Sequence, residues 1–131
     1  MPFPTVTAAL AASFAILMVL LSVQTSLRRA SLGVTAGDAG DETLRRRIRA
    51  HGNFIEYAPL AVVLLLLVEL SGASLATTVA LGLSLVLARL LHAAGMLYTS
   101  GPVLRAAGML IQHTAFLYAA IFLIRRVMHA A

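Results

Sequence analysis

Arg49-Ala50-His51-Gly52-Asn53-Phe54-Ile55-Glu56-Tyr57-Ala58-Pro59 runs directly into Leu60-Ala61-Val62-Val63-Leu64-Leu65-Leu66-Leu67-Val68, and this junction decides how the chain is read. The second part suits hydrocarbon. The first part carries polar groups that cost free energy near lipid unless they meet one another, water or a ligand. On a helix, Arg49, Asn53 and Glu56 fall at i, i+4 and i+7, along one face. A cation, an amide and an anion within two turns form a surface suited to a small zwitterion.

Outward from that stretch, the chain of 131 residues is 60% hydrophobic and 11% charged. Soluble domains average about 45–50% apolar and about 25% charged, so this composition belongs to a membrane. The length allows one domain, residues 1–131. At about 20 apolar residues per crossing, spans are expected at about 5–27, 54–70, 75–97 and 103–124. Thr5–Leu27 lacks the basic leader of a secretory signal and is expected to stay as the first helix. Backbone groups in lipid must bond internally, and strand-like alternation is absent, which excludes a barrel. The expected fold is all-α, an integral membrane four-helix bundle.

All ten basic residues are arginine, and the net charge is +5. Arg28, Arg29, Arg45, Arg46, Arg47 and Arg49 lie between the first two spans, which puts the first loop in the cytoplasm. Because these cations hug membrane ends, the expected partner is the bilayer and not nucleic acid. Arg45, Arg46 and Arg47 are expected to meet lipid phosphate or solvent, Arg125 and Arg126 to anchor in headgroups, and Glu69 to be solvated. Cysteine is absent, so any thiol chemistry uses a thiol from elsewhere. Asp41 reads as the N-cap of a second helix that starts outside the membrane. Pro59 should bend that helix. Ala8/Ala12, Ala11/Ala15 and Ala115/Ala119 have the spacing for close helix approach.

Arg89 and His92, at i and i+3 on the third helix, are too deep for routine end-of-helix residues. Glu56 is the natural ion-pair partner for Arg89, in a bond that is either purely structural or part of a polar pocket. The histidines show no metal-ligand spacing, so no metal site is expected.

These residues resemble the MAPEG family, the membrane-associated proteins of eicosanoid and glutathione metabolism, and in particular its small bacterial inner-membrane branch. The resemblance rests on Arg49 to Pro59, with Arg28-Arg29, Ala88-Arg89-Leu90-Leu91-His92 and Arg105 in support, and covers essentially the whole chain. It implies a homotrimer holding glutathione between subunits, with a lipophilic electrophile as second substrate. The glutathione contacts it implies are Arg49, Asn53 and Glu56, with Tyr57 and His51 beside them; Arg28, Arg89 and His92 complete the binding set. Arg105 matches the arginine that stabilises the thiolate, and Arg29 stands second for that role. The chain departs from well-studied relatives at Met96, where they carry tyrosine, and at Ala106, where some carry serine. Glutathione binding is therefore carried over more directly than catalysis. A small drug exporter is disfavoured because Thr5–Leu27 has no carboxylate.

Overall fold

The computed structural model describes residues 3–130, and these form four helices: α1 (Thr5–Leu32), α2 (Glu42–Leu70), α3 (Leu75–Tyr98) and α4 (Val103–Ala130). All four are long and apolar enough to cross a membrane. No strand occurs among the described residues. The all-α membrane bundle expected from the sequence is the observed architecture. α1 and α4 each run past the expected span, because nothing in Arg28–Leu32 or Arg125–Ala130 breaks a helix.

The boundaries follow from local chemistry. Asp41 accepts a hydrogen bond from the Leu44 backbone N–H at 2.6 Å, satisfying one of the orphan donors at the start of α2. Ser74 does the same for α3 through Thr77 N–H at 3.1 Å. α1 closes at Gly33, whose φ of 65° is the left-handed conformation glycine tolerates best. α2 continues as one helix through Pro59.

α2 and α3 are central and each packs on the other three helices, whereas α1 and α4 do not meet among the described residues. Leu10, Phe14 and Leu21 of α1 are buried with Phe54, Leu65 and Val68 of α2 in a common core. The Phe14 and Phe54 rings meet edge to face at 5.3 Å between centroids. Leu83 and Leu110 stay about two-thirds exposed, at 65% and 69%. Such residues form an apolar outer surface that hydrocarbon covers without cost.

Two glycines let α4 lie close against α3. A Cβ on Gly108 would stand 2.6 Å from the Ala88 carbonyl oxygen, and one on Gly95 would stand 2.8 Å from both N and Cγ of Arg105. The alanine pairs fare unequally. Ala115 and Ala119 are buried, whereas Ala12 and Ala15 are exposed on the subunit.

Candidate functional site

One end of the bundle gathers the end of α1, the start of α2, the end of α3 and the start of α4. Its arginines do more than face headgroups. Arg46, on the first turns of α2, donates from Nε to the Met96 carbonyl at 2.7 Å and from Nη2 to that of Thr99. Arg47 donates to the Gln24 carbonyl of α1 at 2.8 Å. The Arg46 bonds satisfy carbonyls at and beyond the end of α3 and, with the Arg47 bond to α1, tie three helices together, which replaces the expectation of lipid or solvent contacts for Arg46 and Arg47. Arg45 pairs with Glu42 one turn earlier. At the opposite end, Arg126 donates to the Ser71 carbonyl in the α2–α3 turn.

Arg28 forms a two-pronged ion pair with Asp41, at 2.6 and 3.1 Å. The carboxylate therefore caps α2 and holds the end of α1 at once. The Arg28 guanidinium, followed by the Leu44 N–H, holds the Asp41 carboxyl below its ordinary value. Arg29 donates to the Thr35 carbonyl at 3.1 Å. Both arginines thus order the α1–α2 connection within the subunit.

Deeper in the bundle, Arg89 is only 1% exposed and has no carboxylate partner among the described residues. Its Nη1 donates to Asn53 Oδ1 at 2.8 Å, its Nη2 approaches Met109 Sδ at 3.8 Å, and its guanidinium lies 5.0 Å from the centre of the Tyr57 ring. The expected Glu56–Arg89 pair is not formed. The reason is helical geometry: at about 100° per residue, Asn53 and Tyr57 share a ridge and Glu56 points about 100° away from Tyr57. Arg89 packs on that ridge, and Glu56 is left exposed on the subunit surface.

Two adjacent cavities lie beside this network. One, of about 240 Å³, is lined by Arg49, Gly52, Asn53, Glu56, His92 and Met96, together with Ile48. The other, of about 290 Å³, includes Arg49, Met96 and Arg105 together with Arg45 and Arg46. Arg49 and Met96 belong to both. Each alone is slightly smaller than the roughly 300–1,000 Å³ usual for small-ligand sites. The predicted face of α2 (Arg49, Asn53, Glu56) therefore does wall one space, with His92 of α3, and Arg105 stands next to it. Arg28 and Arg29 do not line either cavity.

The walls are chemically unequal. Arg49 makes no hydrogen bond or ion pair within the described residues, while Arg105 reaches only Met96 Sδ, at 3.7 Å, and leaves its buried Nε without a partner. His51 Nε2 is likewise buried and unpartnered. The site therefore presents an excess of donors; its carboxylates are Glu56 in the first cavity and Glu42, paired with Arg45, in the second. A larger cavity of about 730 Å³ runs between α3 and α4, but no charged side chain lines it.

The sequence pattern does not single out Met109, His113 or Gln112. Met109 supplies a soft acceptor to both Asn53 and Arg89. His113 packs edge-on against Tyr57 at 5.9 Å. Gln112 is fully buried with neither end of its amide bonded within the subunit. Its signal is the short polar run Gln112-His113-Thr114 inside an otherwise apolar helix.

Residues 7–125 match the sequence profile of the MAPEG family. The chain belongs to the MAPEG family. Among curated relatives it is similar to inner membrane protein YecN of Escherichia coli K12 and to the same protein of Escherichia coli O6:H1. Each is 37% identical over 81 residues, covering 62% of this chain and 62% of the relative. The match thus spans less than two thirds of those relatives. Family, four apolar helices and kinship to an inner membrane protein together make this a multi-pass inner membrane protein.

Proposed function

We propose that the protein is a membrane transferase or peroxidase that uses glutathione as co-substrate. The observation that carries the reading is the cavity walled by Arg49, Asn53 and Glu56, adjoining a second that Arg105 lines. Glutathione has two carboxylates, one ammonium and a thiol. Arg49 and the Asn53 amide suit the carboxylates, Glu56 suits the ammonium, and Arg105 of the adjoining cavity suits a thiolate.

A free thiol titrates near 8.5, so half-ionisation at pH 7 needs a shift of about 1.5 units, or about 2 kcal/mol. A partly desolvated guanidinium is an adequate source of that shift, because charge interactions strengthen as the local dielectric falls. The thiolate then attacks a lipophilic electrophile arriving through the bilayer: a carbon–sulfur bond forms and the leaving group departs with the bonding electrons. With a lipid hydroperoxide, it attacks the terminal oxygen, the alcohol leaves, and a second glutathione resolves the sulfenic acid to disulfide and water.

The family resemblance implies a homotrimer, and the arginine bias of the first loop implies that this end faces the cytoplasm. Glu56 and His113 are exposed on the subunit within spans, where lipid is a costly neighbour, and an adjoining subunit offers a polar one. A second reading is a glutathione- or anion-binding membrane protein without chemistry. It is favoured by Met96, whose sulfur occupies Arg105 at 3.7 Å in place of a hydroxyl. Titrating the purified protein with glutathione while following thiolate absorbance, then adding a chlorodinitrobenzene-type electrophile, separates the two. Thiolate formation with turnover supports the enzyme, binding without turnover supports the second reading, and no binding removes both.

A further inference from the structure

Arg89 is buried, is absent from the cavity walls, and carries only hydrogen-bond donors. Its Nη1 faces Asn53 Oδ1 at 2.8 Å. An asparagine amide can in general present either its oxygen or its NH₂ on a given side, and the neighbouring network selects which. A donor-only neighbour leaves one choice: the oxygen turns inward. The remaining NH₂ reaches only Met109 Sδ at 4.0 Å, the outer limit for a hydrogen bond to sulfur. Asn53 lines the cavity, so a better acceptor placed there takes that donor from the sulfur.

We infer that Arg89 is a positioning residue that makes Asn53 an obligate donor at the cavity wall, so that this point takes carboxylate or carbonyl oxygens and rejects donor groups. The inference rests on the glutathione reading and specifies what part of the ligand Asn53 meets. It also explains why a buried guanidinium lacks a carboxylate partner. A carboxylate at position 53 would neutralise Arg89 but abolish the donor.

The test is isothermal titration with glutathione, alongside thermal melting, on detergent-solubilised wild type and the variants Asn53→Asp, Arg89→Lys and Arg89→Gln. Asn53→Asp keeps an oxygen on Arg89 and loses the NH₂. It should melt no lower than wild type yet bind about tenfold more weakly or worse, the loss of one charge-assisted hydrogen bond. Lysine is also donor-only, whereas glutamine can accept from Asn53 and let the amide turn. Arg89→Lys should therefore bind about tenfold more tightly than Arg89→Gln. A folded Asn53→Asp or Arg89→Gln protein that binds glutathione like wild type overturns the inference. If Asn53→Asp does not fold, the two Arg89 variants decide. A wild type that shows no glutathione binding overturns the parent reading, and this inference with it, on the first trace alone.

Discussion

Glu69, one residue from the end of α2, caps α1: its Oε2 accepts from the backbone N–H of Thr7 at 2.8 Å and from the Thr7 hydroxyl at 2.7 Å. Its other oxygen accepts from Val6 N–H at 3.0 Å. Pro4, the residue preceding α1, has no side chain able to cap. The carboxylate from α2 takes that role and also complements the positive end of the α1 dipole. Glu69→Ala is therefore expected to destabilise the bundle by about 2 kcal/mol, read from melting or chemical denaturation in detergent. Glutathione affinity at the other end should be unchanged.

Gly108→Ala tests the α3–α4 seam. The added methyl would meet the Ala88 carbonyl oxygen at 2.6 Å and the His92 backbone nitrogen at 2.8 Å, and neither can yield as a side chain would. The two helices must separate, at an expected cost of about 1–3 kcal/mol, visible as a lower melting temperature. Gly52→Ala, with open space around its Cβ position, is the control for overall stability.

Arg105→Ala should leave glutathione binding nearly intact while raising the pKa of the bound thiol by about one unit or more. Following thiolate absorbance against pH in the presence of saturating glutathione measures this directly. Glu56→Gln should instead weaken binding, with little effect on stability, because the carboxylate has no partner within the subunit's described residues.

Asp41 makes the α1–α2 connection sensitive to acid. Its carboxyl, held below the ordinary value by Arg28, is lower in the folded than in the unfolded chain. The stabilisation is complete above the unfolded value of about 3.9 and is lost as pH falls through the folded one. Hydrogen-exchange protection factors across residues 33–44, corrected for the intrinsic pH dependence of amide exchange, should fall in that acid range. Asp41→Asn keeps a capping oxygen but removes the charge, so its protection factors should be nearly flat over the same range.

How much of this was legible in the residues depends on the distance over which each interaction acts. Hydropathy and capping are local: the runs of apolar residues, Asp41 before Glu42 and the small-residue turns specified four membrane helices and placed Arg49, Asn53 and Glu56 on one cavity wall. The partners of Arg46, Arg47, Glu69 and Arg89 were not legible, because each bond joins helices whose relative rotation is set by packing. Arg89 is the clearest instance. Charge alone pairs it with Glu56, but the close α3–α4 approach at Gly95 and Gly108 and the ridge formed by Asn53 and Tyr57 direct it to an amide and a ring. The order of residues determined what had to cross the bilayer and which polar groups needed company there. Only the tertiary structure decided which groups meet, since a rotation of about 100° per residue moves a side chain from one neighbour to the next.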